Sequence, residues 1–446
     1  MRLPVSMLLL FVTLLTSTAS SESVAAEEPF WNQFRGPYAN GTSKATGVPV
    51  KFAEGSKEIA WKVPVAGRAW ASPVIWGNQI WLANAPEIQN PPGATNQNAN
   101  PGPTPPLKKP LVLSAVCLNA ETGKVLHDID LFEVYRPQYT HPTNSLGSCT
   151  PWVEDGRLYV HFGTYGTACI DTKTGKKLWE RTDIECHHWR GPGSSVVVHG
   201  DLLFLNFDGY DKQFIIALDK NTGKTAWKKD RDIDYGTDNG DRKKAYGTVT
   251  VVKANGQDLV VSPFAMATIA YAAKDGKPVW TVFHGGMNAA ARPIVGHGLV
   301  YIRAGSGPDS LIAVDPTGEG DITKTHIKSR QAKMTPNRGS QILIDDLYFM
   351  VNDEGIATCL DAKDIEVVFW KERIEGARWS SPIAIGENIY TVAQDGKITV
   401  FKAGRAGYEQ VAENKLDGFF NATPAVAGNS LIIRSQSHVY CVRASK

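Results

Sequence analysis

The residues best suited to chemistry in this sequence are basic and aromatic side chains that do not recur along the chain. Each lies in a segment just before a short apolar stretch, and carboxylates are scarce in these segments, Glu185 being the nearest. Arginine makes bidentate hydrogen bonds to carboxylate or sulfate, and Trp and Tyr offer stacking faces. The pattern predicts a binding face for an anionic planar or sugar-like ligand. The predicted ligand-binding residues are Arg68, Trp70, His188, Arg190, Lys244, Tyr246, Arg338, Arg378, Trp379 and Asn421.

A structural role is the alternative for each of these residues, because Arg and Trp also pack interiors and donate to neighbouring carbonyl groups. His187 and His188 could be metal ligands, but adjacent strand residues point to opposite faces and the pair has no companion carboxylates. We therefore expect His188 to have a structural or ligand-contact role and no metal to be bound. His141, in the preceding segment, could approach the two histidines.

The elements that must position these residues are set out by an internal repeat. The stretch CIDTKTGKKLWE (169–180) has copies that begin at Cys117, Ala217 and Ala270, and weaker copies at Ala313 and Cys359. In each copy apolar residues end a strand, Asp or Asn can bond the turn backbone, and Gly supplies the positive φ of a tight hairpin. The Trp at positions 179, 227, 280 and 370 suits packing between neighbouring sheets. The repeat therefore predicts architecture and no chemistry.

A second periodic signal gives the number of units. Eight short apolar strands begin about forty to fifty residues apart, except for one longer interval, which leaves room for four strands in each unit. Four-stranded units that cannot bury both faces alone are typical of a β-propeller. The last unit lacks an outer strand, whereas Trp61 lies in an outer strand with no unit before it. The eight strands begin near Ser72, Thr150, Ser194, Thr248, Arg292, Ser340, Ser381 and Thr423.

These two signals together predict the fold. We expect an all-β, eight-bladed β-propeller of four-stranded antiparallel blades, closed by pairing of the N- and C-terminal segments, with Trp61 in the last blade. Such closure would remove exposed terminal edges. The segment at about 87–110, rich in Pro and Asn, cannot build a core and is predicted to be a mobile loop in the first blade.

The first 26 residues have the layout of a secretory signal peptide. Arg2 is followed by an apolar run from Leu8 to Leu15 and then by small residues that end at Ala26. The uncharged run is too short to span a bilayer comfortably, and no Cys for a lipid anchor lies near the cleavage region. We therefore expect residues 27–446 to form the propeller of a periplasmic or secreted protein without a transmembrane anchor.

The six cysteines divide into two groups. Cys117, Cys169, Cys359 and Cys441 occupy one position of the repeat, where Ala stands in other copies, which indicates a small buried group. Cys149 and Cys186 lie outside that position, and the sequence leaves open whether they form a disulfide. The net charge of +2 gives no reason to expect a nucleic acid as partner, and we expect a monomer.

Repeats of the form A-x-D-x-x-T-G-K-x-x-W, as in residues 217–227, resemble those of pyrroloquinoline-quinone (PQQ) enzymes and their cofactor-free relatives. The segment WNQFRGPYANG (31–41) resembles the opening of bacterial PQQ-like propeller proteins. The resemblance covers nearly all of residues 27–446 and implies the propeller fold. Dehydrogenases of this family carry an adjacent Cys pair, a carboxylate-rich calcium site and an Asp general base, and none of these can be placed on this sequence.

Three functions remain open from the sequence. The first is an exported non-catalytic propeller that binds a protein partner or an anionic or sugar-like small molecule at one face of its channel. The second is a PQQ-dependent oxidoreductase, in which PQQ with calcium would be the cofactor. The third is an envelope-assembly scaffold similar to the outer-membrane assembly factor. The sequence also lacks GxSxG, HExxH and CxxCH signatures.

Overall fold

The fold is taken from a computed structural model that describes residues 29–88, 90, 93, 95, 106–307 and 310–445. The predicted signal peptide, residues 1–26, lies outside the described residues, as does most of the predicted loop at 87–110. Apart from strands, the described regular structure consists of two short 3₁₀ helices, Gly163–Tyr165 and Gly240–Lys243. Nowhere in the described part of the chain is there a helix long and apolar enough to cross a membrane.

The strands form eight sheets, each built on four antiparallel strands, which confirms the prediction of an eight-bladed all-β propeller. The inner strand of each blade is short, the two middle strands are the most buried, and the outer strand is largely exposed or half-buried. The first strands of the chain and those of blades 1 to 4 are β1 (Thr42–Ser43), β2 (Ile59–Pro64), β3 (Val74–Trp76), β4 (Gln79–Asn84), β5 (Leu111–Asn119), β6 (Val125–Val134), β7 (Trp152–Glu154), β8 (Arg157–His161), β9 (Thr167–Asp171), β10 (Lys177–Arg181), β11 (Val197–His199), β12 (Leu202–Asp208), β13 (Gln213–Asp219), β14 (Thr225–Asp230), β15 (Thr250–Ala254), β16 (Gln257–Pro263), β17 (Ala267–Ala272) and β18 (Pro278–Phe283).

Two blades gain a fifth, parallel strand: β1 lies beside the inner strand of blade 7, and β22 lies beside the outer strand of blade 4. The strands of blades 5 to 8, together with β22, are β19 (Ile294–Gly296), β20 (Leu299–Arg303), β21 (Leu311–Val314), β22 (Gly320–Asp321), β23 (Ile327–Gln331), β24 (Ile342–Ile344), β25 (Leu347–Val351), β26 (Ile356–Asp361), β27 (Val368–Arg373), β28 (Ile383–Ile385), β29 (Asn388–Val392), β30 (Lys397–Lys402), β31 (Gln410–Lys415), β32 (Ala425–Ala427), β33 (Ser430–Arg434) and β34 (His438–Arg443).

The ring closes as the sequence predicts. Strand β2 pairs antiparallel with β34, so that Trp61 lies opposite Cys441 and the N- and C-terminal segments share blade 8. The Trp61 indole N–H also donates to the Ala120 carbonyl of blade 1 at 3.1 Å. Closure therefore uses both the strand ladder and the contact between neighbouring blades.

The repeated turn is the hairpin that its residues predict. The Asp171 carboxylate accepts the N–H groups of Lys173 at 3.0 Å and Thr174 at 2.7 Å, and Gly175 has φ of +72°. On the next strand the Trp179 indole donates to the Lys220 carbonyl of blade 3 at 2.9 Å. The corresponding indoles of Trp227, Trp280 and Trp370 make the same bond to the following blade. These contacts confirm the predicted packing of Trp between sheets.

Candidate functional site

The segments that lead into the inner strands converge at one end of the central channel, around a cavity of about 420 Å³ that we call the mouth cavity. Its lining contains two arginines, three large aromatic rings besides Phe34, and several hydroxyl groups. None of the described lining residues is a carboxylate or a cysteine. Of the residues predicted from the sequence, the lining includes Trp70, Arg190, Tyr246, Arg338, Trp379 and Asn421.

One position of the repeat supplies most of this wall. We define the slot of each blade as the Ser, Thr or Arg that precedes its inner strand, and the residue two before the slot lines the cavity in every blade. Residues two apart on an extended segment point to the same side, so the slot and this residue share one face. This spacing was not predicted from the sequence, although it can be read there once the slots are known. The eight residues are Trp70, Ser148, Gly193, Tyr246, Ala290, Arg338, Trp379 and Asn421.

The four other predicted residues stand at different offsets and lie outside this lining. Arg68 borders a smaller neighbouring depression, stacks on Trp70 at 5.4 Å and bonds the Pro142 carbonyl. His188 is buried, and its Nε2 has no partner among the described residues. The Lys244 ammonium is buried beneath the Tyr246 ring at 4.3 Å, and burial lowers its pKa to about 8.

Arg378 has the structural role that the sequence left open as the alternative. Its guanidinium is buried and donates to the Gly376 carbonyl at 2.7 Å and to the hydroxyls of Thr391 at 3.2 Å and Thr399 at 2.9 Å. Burial lowers its pKa to about 10. The side chain thus ties together backbone and strand hydroxyls within blade 7 and does not reach the mouth cavity.

The two lining arginines are each held between an aromatic ring and a carboxylate. Arg190 lies over the Trp189 ring at 4.5 Å and pairs with Asp241 at 3.1 Å. Arg338 lies over the Trp379 ring at 3.8 Å and pairs with Asp353. Stacking fixes the plane of a guanidinium and leaves its edge for hydrogen bonding. Both pairs therefore hold a cation in a defined orientation at the cavity wall.

The charges of Arg190 and Arg338 act on the same side chains of the cavity. Burial lowers the pKa of His141, and the charges of Arg190 and Arg338 lower it further. Burial likewise raises the pKa of Tyr246, with the charge of Asp241 acting in the same direction and the charges of Arg190 and Arg338 acting against it. Arg190 and Arg338 come from different blades, yet the charges of both act on His141 and Tyr246 at the cavity.

A belt of hydroxyl groups runs round the channel at the slot positions. The backbone N–H of a slot residue donates to the slot hydroxyl of the next blade at 3.0 Å from Ser72 to Thr150, from Thr150 to Ser195, and from Ser195 to Thr248. The same bond joins Arg292 to Ser340, Ser340 to Ser381 and Ser381 to Thr423, so that six of the eight slot residues donate in this way. An accepting hydroxyl still has a proton to donate, and six of the slot hydroxyls line the cavity, a feature that was not predicted from the sequence.

The other end of the channel is closed by residues 29–43, which we call the plug. The plug begins beside the turns that follow the inner strands, where Phe30 contacts Trp76 at 5.1 Å. Its carbonyls at Trp31 and Asn32 accept from the inner-strand N–H groups of Ile75 at 2.8 Å and Val153 at 2.9 Å. In the sequence this segment shows only a resemblance to other propellers, and its position in the channel was not predicted.

The tip of the plug reaches the slot level. Arg292, the one slot residue among the eight without a hydroxyl, donates to the Phe34 carbonyl and to the Gln33 side chain, each at 2.7 Å. Gln33 and Arg35 are buried, whereas Phe34 is half-buried and lines the mouth cavity. The cavity is therefore blind, open at the mouth and closed by the plug.

Two buried arginines, Arg35 and Arg292, lie behind the part of the plug that lines the cavity. Burial lowers the pKa of both Arg35 and Arg292 to about 9, and the Arg292 charge contributes to the shift at Arg35. Arg35 donates to the Gln341 carbonyl at 2.6 Å, and neither guanidinium pairs with a carboxylate among the residues that the structure describes. Buried cations that are bonded only to neutral groups keep a positive field in the channel.

The described residues offer no metal site. No group of three or more His, Cys, Asp or Glu side chains within the described ranges could hold a metal ion. The six cysteines are free and buried, so Cys149 and Cys186 form no disulfide in this structure, and burial raises the pKa of each of these two thiols to about 12.

Comparison with known proteins places this geometry in a family. The family model described as outer membrane protein assembly factor BamB matches residues 77–280 and 211–446. Among curated proteins, the quinoprotein alcohol dehydrogenase PedH of Pseudomonas putida is 29% identical over 157 residues, which cover 30% of this chain. The match spans about a quarter of that relative's length, 26%.

Solved structures agree on the fold. BamB from Moraxella catarrhalis has a TM-score of 0.54 at 14% identity, covering 76% of this chain and 95% of that one. A europium-containing methanol dehydrogenase has a TM-score of 0.62 at 10% identity, covering 91% and 89%. The quinohemoprotein alcohol dehydrogenase of Comamonas testosteroni has a TM-score of 0.61 at 11% identity, covering 94% and 81%. The chain belongs to the PQQ-like repeat β-propeller family whose model carries the description of outer membrane protein assembly factor BamB.

Proposed function

We propose that the protein is an exported binding module whose mouth cavity takes an anionic small molecule that contains a ring. The observation that carries this proposal is the lining itself. It combines Arg190 and Arg338, the rings of Trp70, Tyr246 and Trp379, and a belt of hydroxyls, with no carboxylate among the described lining residues. Fold likeness alone would not support any particular activity.

Each part of the lining has a role in this proposal. The arginine edges bind the anionic group, the aromatic faces stack on the ring, and the slot hydroxyls donate to ring oxygens. A blind cavity of about 420 Å³ is within the range of small-molecule sites, which favours a small ligand over a broad protein surface. The carboxylates Asp241 and Asp353 are already paired with the arginines and orient them.

The charge of PQQ suits this lining, but the calcium ion that accompanies PQQ in dehydrogenases of the family does not. PQQ is a planar tricarboxylate, and the arginines and aromatic faces suit such a ligand. Calcium, however, binds through several oxygen ligands that usually include carboxylates, and no carboxylate is among the described lining residues. The residues therefore do not fit a calcium-dependent quinoprotein site, and we derive no redox step from them.

The test is a binding titration of the purified protein with PQQ, with and without Ca²⁺, and with glucuronate as a sugar-like anion. We expect one probe to bind stoichiometrically, and Arg190→Gln or Arg338→Gln to weaken binding about tenfold or more, because a hydrogen bond to a charged group contributes roughly 1.5–3 kcal/mol. Arg373→Gln, on the exposed outer strand of blade 6, is the matched control and should leave affinity unchanged. The proposal is wrong if none of the probes binds or if all three variants behave alike.

An oxidoreductase is the second candidate, because the identity with PedH extends over 157 residues. It is tested by incubating the protein with PQQ, Ca²⁺ and a panel of alcohols and sugars, and following reduction of an artificial electron-acceptor dye. Turnover that disappears in Arg338→Gln would replace the binding proposal by a quinoprotein one. Binding of PQQ without turnover would support the binding module.

An envelope-assembly scaffold is the third candidate, favoured by the family model's description. Both this role and the binding module predict a periplasmic location, which cell fractionation tests. Cross-linking in cells separates them: capture of outer-membrane proteins that persists in Arg338→Gln would support a scaffold whose partner surface is independent of the cavity.

A further inference from the structure

We infer that Phe34 of the plug is the floor of the mouth cavity and sets how deep a ligand can enter. This inference deepens the proposed function and rests on it. It assigns a specificity-determining role to a segment at the beginning of the described chain, far in sequence from every other lining residue except Trp70 and Ser72.

The plug is fixed tightly enough to serve as a floor. Its backbone accepts hydrogen bonds from inner strands of blades 1, 2 and 7, through Ile75, Val153 and Ala384. Arg292 of blade 5 donates to its tip, and Arg35 donates back to the Gln341 carbonyl of blade 6. A segment bonded to five of the eight blades is not free to swing out of the channel.

The plug also folds around its own arginine. Gly41 has φ of +82°, and a Cβ built on it would lie 2.1 Å from the Arg35 guanidinium. Glycine is therefore required there, both for the backbone conformation and for the close approach of the side chain. The Arg35 side chain is fixed by its close contact with Gly41 and by its hydrogen bond to the Gln341 carbonyl. The position of the neighbouring Phe34 is thereby fixed as well.

Phe34 alone of the described plug residues lines the mouth cavity. It is half-buried, whereas its neighbours Gln33 and Arg35 are buried. Arg338 keeps 45% of its side chain exposed and Arg190 keeps 22%, so both lining cations are reachable from solvent. The lining thus combines two cations with one apolar plug ring, and the charges of Arg35 and Arg292 lie buried behind that ring. A matching ligand places an apolar or ring end against Phe34 and its anionic group on Arg190 or Arg338.

Cysteine accessibility tests the floor directly. Phe34→Cys is treated with an anionic methanethiosulfonate (the sulfonatoethyl reagent) and with a cationic one (the trimethylammonium-ethyl reagent). The native cysteines are buried, so the unsubstituted protein provides the background. Asn421→Cys, on the cavity wall, reports access to the cavity, and Phe30→Cys, on the exposed start of the plug, reports the opposite face.

We expect Cys at 34 and at 421 to react about tenfold faster with the anionic reagent, and Cys at 30 to show no such preference. If position 421 reacts and position 34 does not, Phe34 is not the floor and the inference is overturned. If both react without charge preference, the floor is upheld while the proposed anion binding fails. The two failures are therefore distinguishable.

A second variant covers the case in which Phe34→Cys does not fold. Phe34→Trp keeps an aromatic ring but is larger, so it shortens the space left for a ligand. It should therefore weaken binding of the probe identified above by about tenfold. Unchanged affinity in a folded Phe34→Trp protein would overturn the inference.

Discussion

Arginine has two distinct roles in this molecule, and a small difference in position separates them. Arg338 stands two residues before the slot Ser340 and lines the cavity, whereas Arg378 stands three before Ser381 and is buried against backbone carbonyls. Extended segments alternate sides, so one residue of offset turns a side chain away from the channel. Residue type alone therefore predicted both as ligand-binding, and the offset shows which of them faces the cavity.

Three buried histidines should make the protein sensitive to mild acid. Burial lowers the pKa of His161 to about 3 and of His284 to about 4, and it lowers that of His188 well below its usual value. Above pH 6.5 these groups are neutral in both states. Below pH 6.5 the unfolded chain takes up protons that the folded chain does not, so stability falls as the pH falls.

The expected loss between pH 7 and pH 5 is about 2 kcal/mol for each of His161 and His284, and His188 adds to it in the same direction. Urea unfolding at the two pH values measures it in the unsubstituted protein and in His161→Gln, which should lose about 2 kcal/mol less. Equal unfolding free energies at pH 7 and pH 5 in the unsubstituted protein would contradict the prediction.

At the scale of single elements, the repeated hairpin combines a backbone requirement with a contact between blades. Gly223 has φ of +71°, and a Cβ on it would lie 2.6 Å from the Trp179 ring of the preceding blade. Gly256 has φ of +76° but nothing within 4 Å. The two glycines therefore separate the cost of the conformation from the cost of the packing.

We expect Gly256→Ala to lower the unfolding free energy by about 1 kcal/mol, the cost of a left-handed conformation for an L-residue. Gly223→Ala should lose about 1–3 kcal/mol more, because the added methyl displaces Trp179. Chemical denaturation of both variants provides the comparison. Equal losses would mean that the indole moves aside without penalty and that the turn glycine is required only for its φ.

The plug depends on Arg292, which replaces the hydroxyl found at the other seven slots. Arg292→Ser restores the repeat but removes the bonds to Phe34 and Gln33. Loss of these charge-assisted bonds should lower the free energy of local opening of the plug by about 3 kcal/mol. Amide exchange over residues 29–43 should then be about a hundredfold faster.

Hydrogen exchange followed by mass spectrometry measures that change. Ser340→Ala is the matched control, because it removes the hydroxyl bonded to the Arg292 N–H and leaves the plug contacts in place. Similar exchange of residues 29–43 in both variants would show that Arg292 does not hold the plug.

At the scale of the whole molecule, what the sequence predicted and what it missed follow from periodicity. The hairpin and strand patterns recur at regular intervals, and the blades, their count and the place of Trp61 in the last blade were predicted correctly from them. The plug occurs once, and its side chains bond residues hundreds of positions away, such as Gln33 to Arg292 and Arg35 to Gln341. Contacts that are both unique and distant leave no pattern in a single sequence. The place of Phe34 in the cavity lining could therefore not be predicted from the sequence, whereas six other lining residues were among those predicted.

The closed ring implies that the chain can be cut elsewhere without loss of the fold. Strand β34 ends at Arg443, and Arg443 and Pro29 line the same depression on the turn side of the ring. In a variant without the residues before Pro29 and after Arg443, a short flexible linker can therefore join these two positions. New termini between the exposed Gly200 and Asp201 would move the closure from blade 8 to the β11–β12 hairpin of blade 3.

We expect this circular permutant to fold with a melting temperature within a few degrees of the original, because it keeps every strand pair and every contact between blades. It should also keep probe binding, since the plug remains covalently attached and its bonds do not involve the new termini. Thermal melting and the PQQ or glucuronate titration test both points. A permutant that folds but no longer binds would show that linking residue 29 to the C-terminal strand prevents the plug from seating in the channel, because closure of the ring would then be intact while the cavity floor was not.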